Sequence, residues 1–404
     1  MVLAQSSFKV SLPSSVLDAT TVIFERNSRS LALTHSDSSV SLFPSLPSLS
    51  CLPSEPQIVI PPPLLASSFL LLKQNQENHA DDRIVFMSAA PNGADDRLVL
   101  KFYVLQMDRN FSNVPVFSNQ KGISSDTDLS LLIDVGHEAG IMLVASCNFF
   151  VLHSASSKKL WVFGVKLICS ETSNGVVQEK LKFMRCAVID CCSPVWSASI
   201  FFHCLILGED GGTRVFNLRQ LIKGKTIDAK NPSYSNGPLC SSKTMPTNCR
   251  RESADCSGYF IKLMTEEEAG GKSESRKFIS IHALTSKKYI LLDSSGKIFV
   301  LDLFNSPNGG RTHRLRLLPL MMKGQKIAVS PEDSARTHTV WVSDGLHSIH
   351  KLSLPESDDT SDEFAKFSVV IGIFTGEQVL DMVPISATAI SVLQRGSICV
   401  YAVP

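Results

Sequence analysis

The sequence lacks, first, any imbalance of charge. Its 404 residues carry 39 lysines and arginines against 38 aspartates and glutamates, a formal net charge of +1. A chain so nearly neutral has no global field to draw it to a nucleic-acid backbone or an anionic membrane; such a contact would need a local patch. Long uninterrupted apolar runs are missing too. "IVIPPPLLASSFLLL" (58–72) falls short of the roughly 20 residues a membrane helix needs, and it contains Pro61, Pro62 and Pro63. "AVIDCCSPVWSASIFFHCLILG" (187–208) is long enough but is broken by Asp190, Pro194 and His203, and reads as two strands. The opening, "MVLAQSSFKVSLPSS", has neither a basic segment nor a continuous apolar one, so no secretory signal is expected. Cysteine is present but uneven: 11 in all, an odd count. Cys147, Cys169, Cys186, Cys192, Cys204 and Cys399 lie in or beside apolar runs, as free thiols do in a reducing compartment. Cytosol or nucleus is the expected location, with no membrane association.

Helical periodicity is nearly absent, with one short candidate at residues 260–269. What fills the chain instead is a recurring shape: an apolar run, a short polar turn, and a second apolar run. It is seen in "LALTHSDSSVSLF" (31–43), "LILGEDGGTRVFNL" (205–218), "ILLDSSGKIFVLDL" (290–303), "VWVSDGLHSIHKL" (340–352) and "AISVLQRGSICVYAV" (389–403). About seven such hairpins can be counted, marked on their second strands by Val40, Val99, Trp161, Val215, Ile298, Ile349 and Ile398. The last two intervals, 51 and 49 residues, approach the 40–50 of a four-stranded propeller blade. The longer intervals hold polar or proline-rich inserts at 44–80, 107–128, 226–276 and 355–363, all expected to be flexible. Upstream runs at 20–25, 129–135, 183–190, 277–284 and 379–385 are expected to be innermost strands of blades.

With 44% hydrophobic residues there is ample apolar surface for a core. Short strands at regular spacing make the chain all-β, and seven like units suit a closed ring, because closure removes exposed edges. The expectation is one seven-bladed β-propeller over residues 1–404. The lone strand "SFKVSL" (7–12) would pair with the last hairpin and lock the ring.

The units resemble WD-repeat (WD40-like) propellers in a divergent form. The best match is 136–163, where Gly136 is followed by His137 and, 24 residues after the histidine, by Trp161; Val162 stands where the family's aspartate would be. "FVLD" (299–302) keeps Asp302 but has Leu301 in place of tryptophan. The resemblance implies a rigid, non-catalytic platform for other proteins in a complex or, less often, for nucleic acid.

No motif for chemistry survives inspection. "EEEAGGKS" (266–273) ends like a phosphate-binding loop, but Glu266 replaces the first glycine and three carboxylates would repel phosphate. Cys186, Cys191 and Cys192 lack zinc spacing, and so do Cys240, Cys249 and Cys256. His347 and His350 fall on opposite faces of a strand. There is no nucleophile elbow. No catalytic residue, cofactor or metal is therefore expected. An enzyme with an unrecognised site at the mouth of the channel is one alternative. The other is a nucleic-acid-associated propeller that uses a basic surface cluster of Arg311, Arg314, Arg316, Lys223 and Lys225, although no RNP-type aromatic signature interleaves those charges. Trp161 and Trp341 alternate with apolar neighbours and are expected in the core.

Overall fold

The computed structural model describes residues 6–46, 52–73, 82–93, 96–120, 122–126, 129–136, 140–171, 177–223, 258–263, 276–305, 311–330, 337–355 and 368–403. Their strands form seven sheets, antiparallel except for one short parallel pair at the outer edge of blade 3. Blade 1 holds Ala19–Glu25, Ser30–His35, Val40–Phe43 and Ile58–Ile60 from inside outward. Blade 2 starts with Ala66–Leu72, Arg83–Pro91 and Arg97–Leu105, and blade 3 holds Ile141–Ala145, Phe149–Ser154, Lys159–Glu171 and Val177–Asp190. Blade 4 is Val195–Phe201, Cys204–Glu209, Gly212–Asn217 and Tyr259–Lys262. Blade 5 is Phe278–Ala283, Lys288–Asp293, Ile298–Asn305 and Arg311–Leu318. Blade 6 is Lys326–Val329, Thr337–Ser343, Ser348–Pro355 and Ser368–Phe374. Blade 7 takes Asp381–Ser386, Ala389–Gln394 and Ser397–Ala402 from one end of the chain and Ser6–Ser11 from the other.

Each innermost strand touches the innermost strands of the blades before and after it, in an unbroken cycle that returns from blade 7 to blade 1. The buried apolar residues divide into seven clusters, and each cluster fills one seam between adjacent blades. Strand alternation explains this: successive side chains point to opposite faces, so each sheet supplies half of two seams. In blade 5, Tyr289, Leu291, Phe299 and Leu301 face blade 4, whereas Ile290, Leu292, Ile298 and Val300 face blade 6. Trp161 lies in the seam between blades 2 and 3 and Trp341 in the seam between blades 6 and 7.

Closure is made as the sequence suggested. Ser6–Ser11 runs antiparallel to Ser397–Ala402, with Lys9 opposite Cys399 and Ser11 opposite Ser397. The Leu12 N–H then donates to the Gly396 carbonyl at 2.9 Å, and the Leu12 side chain enters the seam between blades 7 and 1. All seven marker residues lie on third strands.

A buried polar residue ends the second strand in six blades: His35, Ser154, Glu209, Asp293, Ser343 and Gln394. Each closes or braces the hairpin that follows. Asp293 Oδ1 accepts from the Ser295 and Lys297 N–H groups and the Ser295 hydroxyl at 2.7–2.9 Å. Glu209 accepts two bonds from the Arg214 guanidinium. Ser343 accepts from the Gly345 N–H, and Gln394 accepts from the Cys399 thiol. Each bond of this kind contributes about 1 kcal/mol to holding the hairpin.

Some expectations are corrected. Residues 129–135 and 183–190 supply outer strands of blades 2 and 3, not inner strands of the blades that follow. The 44–80 segment contains the Ile58–Ile60 and Ala66–Leu72 strands. The 107–128 segment leaves blade 2 through Phe111–Asn113, pairs Val116–Phe117 in parallel with the outer strand of blade 3, and returns through Ile123–Asp126 to Ser130–Asp134. It therefore stitches two blades together. Within 226–276 the described part is a strand, Tyr259–Lys262, where a helix was expected; the rest of that segment up to residue 275 and most of 355–363 lie outside the described residues. A short helix, Leu218–Lys223, occurs instead after blade 4's third strand. No described helix is long and apolar enough to cross a membrane. No disulfide joins the described cysteines, but Cys169 and Cys192 are exposed, whereas Cys191 is buried and its thiol is pushed up to about 12 by burial.

Two predictions follow from closure and burial. Deleting residues 1–12 removes an edge strand and the buried Leu12, so unfolding free energy should drop by at least about 2 kcal/mol, as read by urea titration. An unchanged midpoint would refute the closure. On the innermost strand of blade 5, His282 Nε2 lies 2.8 Å from Ser280 Oγ, and burial pushes the imidazole down to about 4. The unfolded chain takes up this proton near pH 6.5 and the folded chain only near 4, so stability falls as pH drops through that window. The loss relative to His282→Asn should be on the order of 2 kcal/mol, measured by urea titration at pH 7 and pH 4.5.

Candidate interaction surface

Antiparallel blades place their connections on two faces. The turns between second and third strands, and the links between blades, share the upper face. The first-to-second and third-to-fourth connections share the lower face. Among the described residues, a cleft opens on the lower face at the seam between blades 4 and 5, and another at the seam between blades 1 and 2.

The first has a volume of about 220 Å³ and is lined by Phe202, His203, Tyr259, Lys287, Leu303 and Phe304 among others. Phe202 occupies the first position of a two-residue hairpin turn, since Phe201 pairs with Cys204. Its φ is +51°, a left-handed conformation that costs a non-glycine residue about 1 kcal/mol or more. The residue is 63% exposed, and its ring stands edge-on to Phe201 with centroids 4.7 Å apart. Phe304, at the lower end of blade 5's third strand, is 38% exposed. The rim is polar: the Arg219 guanidinium lies 2.6 Å from His203 Nε2, and burial together with the Arg219 charge holds His203 below the usual imidazole range. The Lys287 carbonyl accepts from the Leu303 N–H at 2.7 Å, which fixes the blade 5 turn against the strand that ends in Phe304.

The basic residues singled out from sequence do not form one patch. Arg314 and Arg316 stand opposite Asp302 and Val300, so they share the face of blade 5 that turns toward blade 6. That is the side away from the cleft. Arg316 is held by Asp302 at 2.7 Å, and Lys288 lies 3.9 Å from the same carboxylate. Arg314 is exposed. Lys223 ends the helix whose Leu218 and Leu221 fill the seam between blades 3 and 4. The Arg311 side chain and Lys225 lie outside the described residues, as does His137. Sequence reading missed Phe202; its available signal was a turn, "FFHC" (201–204), with no glycine, proline, asparagine or aspartate in it.

One constellation has the look of catalytic machinery. His35 Nδ1 is 2.8 Å from Asp18 Oδ1, and His35 Nε2 is 2.9 Å from Ser41 Oγ. This is the order of a nucleophile, base and orienting acid. Yet Ser41 is 1% exposed, so no substrate reaches its hydroxyl. The trio braces the second hairpin of blade 1, as Asp293 does in blade 5. Among the described residues no group of three or more metal-ligating side chains is found.

No protein-family model and no curated protein sequence matches the chain. Among solved structures it is similar to the β-propeller domain of Cps50 (Swd1) from Myceliophteria thermophila. The TM-score is 0.53 at 9% identity, over 99% of this chain and 100% of that one. U3-55K is also matched, with a TM-score of 0.49 at 9% identity over 99% and 100% of the two chains. So are the WD40 repeats of RRP9, at 0.46 and 8% over 98% and 100%. The likeness is one of fold: the chain has a seven-bladed, WD40-type β-propeller fold.

If Arg316 is a structural partner of Asp302 and not a free ligand, Asp302→Ala should leave Lys288 buried without its anion. A loss of about 3 kcal/mol is expected, against less than about 0.5 kcal/mol for the exposed Arg314→Ala. Equal effects in chemical denaturation would disprove the assignment.

Proposed function

We propose that the protein is a non-catalytic interaction platform, a single propeller that works within a multiprotein complex in the cytosol or nucleus and docks a partner segment on its lower face at the seam between blades 4 and 5. The observation that carries this is Phe202. Phe202 is 63% exposed on a backbone in the left-handed region, and inside the molecule its ring gains an edge-on contact with Phe201; strain of this kind collects at functional positions. Beside it lie a cleft of about 220 Å³ and a second exposed ring, Phe304. Aromatic anchors over a pocket with a polar rim are the usual makings of a binding hot spot. With Lys287 and the Arg219–His203 pair on or beside that rim, the fitting partner is a segment with an apolar side chain flanked by carboxylates. The free described cysteines support a reducing compartment. Scattering of the basic residues over separate seams makes a nucleic-acid track the weaker reading, since a backbone needs a continuous stripe of positive charge.

Phe202→Gly separates binding from folding. Glycine accepts the positive φ, so thermal stability should hold or rise slightly. Partners that co-purify with the wild type should be lost from Phe202→Gly and from Phe304→Ser. Retention of the same partners by both variants would overturn the proposal.

A further inference from the structure

The second lower-face cleft, at the seam between blades 1 and 2, has a volume of about 440 Å³. Three arginines line it, Arg29, Arg83 and Arg109, against one carboxylate, Asp82. They come from three separate pieces of chain: the turn after blade 1's innermost strand, the start of blade 2's second strand, and the turn after blade 2's third strand.

The arginines differ in how they are held. Arg83 is fixed: its guanidinium pairs with Glu179 at 3.1 Å and reaches Met107 Sδ at 3.2 Å. Arg29 and Arg109 are exposed and have no ion pair among the described residues. Both sit in the left-handed region, at φ of +58° and +63°. Their backbones are anchored, with the Leu46 N–H donating to the Arg29 carbonyl and the Arg109 N–H to the Gln106 carbonyl, each at 2.9 Å. Asparagine or glycine suits such a position better, so two strained turns that each carry an arginine into one cleft call for a reason beyond folding.

Nearby carboxylates are already engaged. Glu25 accepts from the Asn27 and Ser28 N–H groups and from both their side chains. Asp108 caps Asn110, and bonds from the Asn110 backbone and side chain hold its carboxyl below the usual range. Glu179 belongs to Arg83. These bonds hold Glu25 and Asp108 in their own turns without removing their charge; in the cleft itself three arginines face Asp82 and, through Arg83, Glu179, a formal excess of one positive charge.

We propose that this cleft is a binding site for a phosphorylated side chain of a protein partner, with Arg29 and Arg109 as the two guanidinium forks and Arg83 as a prefixed third donor. A phosphate monoester carries close to two negative charges and three acceptor oxygens, and arginine forks match its geometry in pairs. A protein source is favoured over an RNA backbone by the local character of the charge. The chain's net charge is only +1, and the cleft's lining includes Leu46, Leu105 and Met107 but no aromatic ring on which a base could stack.

The test uses the full chain and two fluorescent peptide libraries, degenerate around a central serine that is phosphorylated in one and unmodified in the other. Anisotropy should show the phosphorylated library bound at least about tenfold more tightly. The double variant Arg29→Ala/Arg109→Ala should lose that difference without a change in melting temperature, since both side chains are exposed. Arg29→Lys/Arg109→Lys, which keeps the charge and loses the forks, should recover only part of it. Phe202→Gly should leave it intact, which separates this site from the blade 4–5 cleft. Equal binding of the two libraries, or a preference unaffected by the alanine variant, would overturn the proposal. So would a short single-stranded RNA that displaces the phosphopeptides at equal phosphate concentration.

Discussion

Every sheet here buries its apolar side chains only against the sheets beside it, and none has a core of its own. Seven half-cores on one side must meet seven on the other, so the stability of any blade depends on the presence of both neighbours. Blade 7 is the one sheet assembled from both ends of the chain. Backbone hydrogen bonds between Ser6–Ser11 and Ser397–Ala402 complete it, and Leu12 and Val16 pack beside Ile398 and Val400 in its seam with blade 1. The rest of the ring follows from this constraint, including the two lower-face clefts, which are the gaps left where loops of adjacent blades diverge.

The second constraint is polar. A WD repeat ordinarily couples its hairpins through a tryptophan and an aspartate, and this chain keeps neither in most blades. Its own solution is to end the second strand on a buried residue that can hydrogen-bond, and it uses histidine, serine, glutamate, aspartate and glutamine interchangeably for the purpose. The chemistry differs from blade to blade: Ser154, Asp293 and Ser343 accept from N–H groups of the turn, whereas His35, Glu209 and Gln394 bond side chains of the same hairpin. A motif defined by residue identity cannot detect such a pattern, which agrees with the absence of any family match alongside a clear likeness of fold.

The fold was legible in the sequence because alternation and turn chemistry are local. Val40, Val99, Trp161, Val215, Ile298, Ile349 and Ile398 all mark third strands, and the pairing of the first strand with the last hairpin could be argued from the pattern at the two ends. The order of strands within blades 2 and 3 was not legible. An apolar run upstream of a hairpin can be the inner strand of the next blade or the outer strand of the last, and 129–135 and 183–190 are the latter. The sites were less legible still. Arg314 and Arg316 are adjacent on one strand face, but Lys223 belongs to a different seam, and sequence proximity has no bearing on which seam a side chain enters. Phe202, Arg29 and Arg109 are marked by backbone conformation, and only the Phe202 turn betrays itself in the sequence by lacking the residues turns prefer; Asn27 and Ser28 precede Arg29, and Asp108 and Asn110 flank Arg109.

Blade 7 has a consequence for biosynthesis. Ser6–Ser11 is made before the other strands of the ring, and its partner, Ser397–Ala402, after them. At a translation rate of roughly 5–20 residues per second, the early strand waits some tens of seconds with its edge and the blade 1 side of its seam uncovered. Six blades can assemble in succession on the ribosome, but the ring stays an open arc until Ser397–Ala402 has emerged. Until then the unpaired edge of Ser6–Ser11 is open to pairing with another copy.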